Sequence, residues 1–257
     1  MRKAKSIKKS EAVSADKKLS APRKPSRGRG LIRYDALVDA TEQLLQSEDP
    51  DEVGLYRIAE QAGVPPASVY HFFPTKEAAF TALAMRIMDQ LLDVHHEPIH
   101  ARDVQTWQDL FRLDSTRACS FYNNHPAGLK IFYGGYGGVD ARRIDEAATA
   151  KLAHAGYARL DKLFHMPFVR NPDFKFSCRL SILDSIWSSS VQRYGLITDE
   201  YHEEAVTACL AYSRTFLPDR IEQRDEFRAL VEADGTVEIP FEDFSAPLEP
   251  AADNDGN

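Results

Sequence analysis

The chain is poor in cysteine, with three in 257 residues, and has no apolar run that approaches the length of a membrane span. Cys119, Cys178 and Cys209 are odd in number and far apart. That argues against a disulfide framework or a cysteine-based zinc site and favours a reducing cytoplasm. A spanning helix needs about 20 mostly apolar residues, and no stretch here comes close. The N-terminus is charged but lacks the apolar segment of a secretory signal. Enzyme signatures are missing as well: there is no Ser or Cys nucleophile motif, no paired-carboxylate pattern and no metal spacing. The glycines of 134–138 lack the third glycine of a dinucleotide fingerprint, and no strand precedes them, so they read as an elbow between helices. His96 and His100 stand four apart, but Pro98 breaks the helix that would aim both at one ion. With His95 they read as a solvated connection, and no catalytic residue, metal or cofactor is expected.

What the chain does have is segregated charge. Its net charge of −7 hides a basic arm: residues 1–30 hold eleven Lys or Arg against Glu11 and Asp16, which leaves the other residues at −16. Six acidic residues and no basic ones occur from Gly235 to Asn257, so the two tails differ in sign. An acidic body with a basic arm points to a partner met through that arm. The arm is rich in Lys, Ser and Pro, almost without large apolar residues, and is expected to be disordered in isolation. Arg27 and Arg29, just ahead of the first helix, are placed to enter a minor groove, where arginine senses width and negative potential. Elsewhere the 43% hydrophobic content suffices for one large core or two small ones.

The most informative stretch runs from Leu55 to Lys76. Leu55, Ile58, Ala59 and Ala62 lie at i, i+3, i+4 and i+7, the spacing of one buried helical stripe. Gly63 suits a left-handed helix end, Pro65 forbids continuation, and Pro66 suits the first position of a second helix. In that second helix Val69, Phe72 and Phe73 face inward, which leaves Ala67, Ser68, Tyr70 and His71 outward. Two short helices with the second exposed make a helix-turn-helix. Tyr70, His71 and Lys76 can all donate to phosphate oxygens. Pro66, Ala67 and Ser68 are placed to meet base edges, a hydroxyl bonding either base and small apolar groups touching a thymine methyl. Arg57 is a further backbone candidate.

Ile58-Ala59, Ala62-Gly63-Val64, Tyr70, Phe73 and Lys76-Glu77, in this order and spacing, resemble the DNA-binding segment of TetR-type transcriptional regulators. The resemblance covers about fifty residues, from Arg33 to roughly Leu83. It departs from the family at Pro65, where a capping Ser or Thr is usual, and at Phe72, where His or Tyr is common. It implies an all-α protein: a three-helix head followed by a larger helical domain that binds an effector and dimerises. On that basis residues 1–30 are a basic arm, 31–80 the DNA-binding domain, 81–220 the effector-binding and dimerisation domain, and 221–257 a short helix with an acidic tail.

Within the body, helices are expected from about Trp107 to Asn124, around Leu129 to Tyr133, and from about Ala141 to Phe164. Two more are expected over Phe174 to Tyr194 and Asp199 to Phe216, with no convincing strand. Apolar walls with a few polar anchors are what a ligand pocket requires. Trp107, Phe111, Phe121, Tyr122, His125, Tyr133, Arg179 and Trp187 are the candidates for an effector pocket of the kind the resemblance implies, and Asp184 is a further anchor. Because one helix-turn-helix reads only a half-site, a homodimer on a palindromic operator is expected. Leu180, Leu183, Trp187, Val191, Val206 and Leu210 are the candidate interface. The chain is thus expected to be a cytoplasmic transcriptional repressor, nucleoid-associated on double-stranded DNA, that a small apolar or aromatic effector releases. The alternatives are an activator of the same fold or a nonspecific architectural DNA-binding protein.

Overall fold

The computed structural model describes residues 21–136 and 138–239. Among them are ten α-helices: α1 (Arg29–Ser47), α2 (Leu55–Gln61), α3 (Pro66–Phe72), α4 (Lys76–Val94), α5 (Trp107–Asn123), α6 (Pro126–Phe132), α7 (Gly138–Leu163), α8 (Pro172–Tyr194), α9 (Asp199–Ser213) and α10 (Asp225–Glu232). A minimal antiparallel ribbon pairs β1 (Ile99–His100) with β2 (Thr236–Val237).

The head is α1 to α3. Helix α1 buries Tyr34, Leu37, Val38, Thr41, Leu44 and Leu45, the inward face its spacing demands. It begins at Arg29, so that Arg29 itself, placed by the sequence just ahead of the first helix, opens it. The end of the arm just ahead of it touches the head. The Arg23 N–H donates to the Phe72 carbonyl at 2.9 Å, satisfying an acceptor that the end of α3 would otherwise leave open. Residues 1–20 lie outside the described residues.

Between α2 and α3, Gly63 has φ 64°, in the left-handed region. The Val64 N–H then reaches back to the Ala59 carbonyl at 3.0 Å, and Val64 packs at the edge of the core. Pro66 opens α3 and Pro65 precedes it without any side-chain cap. The Tyr34 ring sits 6.0 Å from Phe72, edge on, and 5.2 Å from Phe73, which anchors α3 to α1.

Helix α4 starts at a side-chain cap, with the Thr75 hydroxyl accepting from the Ala78 N–H at 3.2 Å. Every residue from Ala78 to Ala84 is buried, as are Ile87, Met88 and Leu91. The boundary expected at residue 80 therefore falls inside a helix that packs against α1 on one side and against α5, α6 and α7 on the other. Arg86 on α4 ties back to α1, bridging Asp39 and, at 2.6 Å, Glu42.

In the body, α8 lies between α7 and α9, and α5 packs against α9. Helix α5 opens with a reciprocal cap: Thr106 Oγ1 accepts from the Asp109 N–H, and Asp109 accepts from the Thr106 N–H at 2.7 Å. Gly134 ends α6 where a Cβ would lie 2.6 Å from the Lys130 carbonyl oxygen, so no larger residue fits. The chain after α9 returns to the body. The Trp107 indole donates to the Pro218 carbonyl at 2.9 Å, the Arg224 N–H to Leu163 at 2.9 Å, and Phe227 is buried against Phe164. The ribbon that follows was absent from the sequence-based expectation because two residues per strand carry no alternation. Among the described residues, no helix is long and apolar enough to cross a membrane.

Gly63→Ala tests the turn. A Cβ there meets nothing within 4 Å, so its cost is conformational, about 1–2 kcal/mol, and should appear as a lower urea midpoint.

Candidate nucleic-acid interface and body cavity

Helix α3 presents the face its sequence predicts. Val69, Phe72 and Phe73 are buried, whereas Pro65, Pro66, Ala67 and His71 are exposed and Ser68 is half-buried. Tyr70 is 56% exposed, so its hydroxyl is free to reach a partner outside the fold. Arg27 and Arg29 are exposed on either side of Gly28, the residue that caps α1. Tyr56, at the start of α2, is 69% exposed and belongs to the same set of outward phenols. It escaped selection from the sequence, although its place beside Leu55 and off the 55/58/59/62 stripe already put it outside.

Two of the expected basic contacts are held within the protein. Arg57 is bracketed by Glu48 at 2.8 Å and Glu60 at 3.1 Å, so it arrives at any anion already neutralised. That placement argues against Arg57 as a free phosphate donor and gives it a structural task at the α1–α2 corner. Lys76 is held loosely, 3.4 Å from the Pro50 carbonyl and 3.8 Å from Asp51, contacts that a half-exposed ammonium can exchange.

Inside the body, α4, α5, α7 and α8 enclose a cavity of about 70 Å³. An outer cleft of about 750 Å³ lies between α6, α7 and α8. Asp145, Thr149 and Asp184 line both and form the neck between them. Of the expected effector residues, the structure brings Phe111, Tyr122, Arg179 and Trp187 to the inner cavity and Tyr133 to the cleft. Trp107, Phe121 and His125 line neither. Trp107 is fully buried and spends its N–H on Pro218, while His125 stacks on Phe121 at 4.1 Å and its Nδ1 lies 2.7 Å from the Phe121 carbonyl. Aromatic content could not separate these packing residues from cavity walls.

Sequence reasoning missed much of the polar lining: His95, Asp114, Ser115, Asp145, Thr149 and Arg159. Arg159 donates to Asp114 at 2.7 Å in a largely buried ion pair linking α7 to α5. Nothing in the local sequence joins residues 45 apart. His95 corrects the expected solvated connection: it is buried, its Nδ1 lies 2.9 Å from the Leu91 carbonyl, and burial lowers its pKa.

The expected dimer residues also need correction. Leu183, Trp187, Val191, Val206 and Leu210 are buried within the single chain, where α8 meets its neighbours, and cannot form an outer surface; Leu180 is half-buried. Helical spacing found an apolar stripe but not whether its partner was internal.

Asp184 accepts from the Tyr133 hydroxyl at 3.0 Å. Burial, then repulsion from Asp145, pushes its pKa up to about 7; burial, then Glu146, raises Asp145 to about 6. A folded-state pKa above the unfolded one means that folding takes up a proton. The resulting cost is absent below the ordinary carboxylate range, grows as pH rises, and is complete above about 7. Asp184→Asn should therefore raise the Tm at pH 8, with the gain shrinking toward pH 4, as followed by calorimetry across that range.

A family model for bacterial regulatory proteins of the tetR family matches residues 37–83. An uncharacterized HTH-type transcriptional regulator of Mycobacterium tuberculosis is 38% identical over 58 residues, which is 23% of this chain and 29% of that relative's length. Among solved structures, a TetR-family regulator from Streptomyces coelicolor aligns with TM-score 0.55 at 19% identity, over 73% of this chain and 98% of that one. SmeT, the repressor of the Stenotrophomonas maltophilia multidrug efflux pump SmeDEF, aligns with TM-score 0.53 at 11% identity, over 72% and 91%. The sequence match to tetR-family regulators is thus confined to the head, while the fold along most of the chain is similar to that of solved TetR-family regulators.

Proposed function

We propose that this chain is a cytoplasmic, ligand-responsive repressor whose α3 enters the major groove of double-stranded DNA and whose body binds a small, largely apolar effector that releases it. The observation that carries this is α3 itself, pinned by Val69, Phe72 and Phe73 while Pro66, Ala67, Tyr70 and His71 stand outside the core. Tyr70, His71 and Lys76 serve the phosphates, the exposed Tyr56 is a further candidate donor, and Ser68 meets a base edge. Arg27 and Arg29 extend the contact toward the neighbouring minor groove. The effector reading is supported by the cavity and cleft, and by the existence of a SmeT–triclosan complex whose SmeT shares this fold at TM-score 0.50 and 13% identity.

A homodimer on a palindromic operator follows from the geometry of half-site reading. It would use the outer faces of α8 and α9, where Phe174 is exposed and Cys178 and Ile182 are half-exposed, in place of the buried stripe beneath them.

Coupling between cleft and head has a short physical route. Helix α6 carries Ile131 and Phe132 to the cleft, and its Lys130 donates to the Glu48 carbonyl at 2.9 Å where α1 ends. The Glu48 carboxylate in turn holds Arg57 on α2. An effector that shifts α6 or α4 therefore moves the corner on which α2 and α3 are mounted, and the two heads of a dimer lose their spacing.

Selection of bound sequences from random DNA should return a palindrome; sequences without symmetry or preference would indicate an architectural protein instead. Lys76→Ala should weaken binding to all sequences and reduce the salt slope by about one, whereas Ser68→Ala should re-rank sequences. Lys130→Met should leave DNA affinity and effector affinity close to wild type but shrink the effector's several-fold reduction of DNA affinity, measured by fluorescence anisotropy with and without effector.

A further inference from the structure

One group in the body is costly as it stands. Arg179, on α8, is 5% exposed, and among the described residues its Nε and Nη1 have no hydrogen-bond partner. Its guanidinium lies between two aromatic faces, 4.4 Å from the Phe111 centroid and 4.3 Å from that of Phe176. Ring faces recover part of the lost hydration, but they supply no acceptor for the N–H groups. Opposite stands Gly156, close enough that a Cβ there would be in van der Waals contact with Nη2, at 3.5 Å.

The rest of the cavity wall does not supply the missing anion. Asp114 is the nearby carboxylate, and its Oδ2 is committed to Arg159 at 2.7 Å. His95 is held toward its neutral form by burial. Arg159 takes Asp114 as its partner, and the other carboxylates of the lining, Asp145 and Asp184, stand at the neck with raised pKa values, so Arg179 is left without an ion pair of its own among the described residues. A second donor is also idle: Trp187 lines the cavity, and its buried indole N–H has no partner. Around them the walls are apolar, formed by Met88, Leu91, Phe111, Leu152 and Leu183. A bare buried cation and an unused donor facing a cavity are stabilised together by an anion that brings acceptor oxygens.

We propose that the effector is an organic carboxylic acid, bound as its anion with the carboxylate on Arg179 and within reach of the Trp187 N–H. This rests on the effector-responsive function proposed above and specifies the chemistry of that same cavity. An inner cavity of about 70 Å³ holds the acid group and the carbons next to it, and the apolar remainder extends through the neck toward the cleft. The neck carboxylates do not bar the anion. Asp184 and Asp145 have raised pKa values, so they oppose it less than ordinary aspartates would, and a protonated Asp184 can donate to it. Arg179 itself is lowered only to about 10 by burial and stays charged at neutral pH.

The test is isothermal calorimetry on the purified full chain without DNA, with octanoate, benzoate and 3-phenylpropionate, each against its neutral primary amide. At least one acid should bind about tenfold or more tightly than its amide. Arg179→Met should erase that preference and raise the Tm of the ligand-free protein, because it removes an unpaired buried charge while keeping apolar volume. Arg179→Lys, the milder change, should retain part of the preference. The proposal is overturned if no acid binds better than its amide, or if Arg179→Met lowers the Tm and leaves the preference intact. Operator binding by anisotropy separates the two levels. An acid that binds but does not release DNA leaves the Arg179 site standing and refutes effector-controlled release, whereas release by the amides alone does the reverse.

Discussion

Helix α4 is buried on nearly every side from Ala78 to Ala84, and this constraint governs the rest of the molecule. Seven consecutive buried residues cannot belong to one apolar stripe, so the helix must be enclosed from two directions. One enclosure is the head, through α1 and the Arg86 bridges to Asp39 and Glu42; the other is the body, through α5, α6 and α7. Close packing on both sides leaves no slack in which the head could rotate alone. The same helix places Met88, Leu91 and the adjoining His95 in the cavity wall, so the residues that would sense a ligand and those that carry the head lie on one element or at its end.

The head and the body spend their polar groups differently. In and around the head, Arg57 on α2 and Lys76 and Arg86 on α4 lie at or near the surface in ion pairs that water and salt can loosen. In the body, the Arg159–Asp114 pair and Arg179 are enclosed, where each unmet hydrogen bond costs far more. A fold that tolerates an unpaired guanidinium beside a void has traded stability for something at that position. The proximity of Trp187, Tyr122 and the Asp145–Asp184 neck makes the void the place to look for it.

How much of this was legible depended on the range of the interaction. The helix-turn-helix could be read because its determinants are local: an i, i+3, i+4, i+7 stripe, a glycine at φ 64°, a double proline, and a cap at Thr75. The outward placement of Tyr70 and His71 followed from the same arithmetic. The cavity was legible only by half. Phe111, Tyr122, Arg179 and Trp187 are in it, but Trp107, Phe121 and His125 are chemically similar residues on neighbouring turns that packing turned elsewhere. The contact of the arm with the head was not legible, because the Arg23 N–H meets the carbonyl of Phe72, some fifty residues downstream.

By itself the sequence determined the helical architecture, the position and polarity of the helix-turn-helix head, and the separation of a basic arm from an acidic body. Each of these follows from periodicity, backbone restriction at Gly and Pro, or net charge, which act over one or two turns of chain. Only the tertiary structure decided that the apolar stripe of Leu183, Trp187 and Val191 is spent inside the protomer. It likewise decided that Arg57 is neutralised by Glu48 and Glu60, and that Asp114 and Arg159 pair beside a void where Arg179 has no hydrogen-bond partner for its Nε and Nη1 among the described residues. Those outcomes depend on which faces of distant helices meet, and burial, which turns a surface charge into a costly one, exists only once they have met.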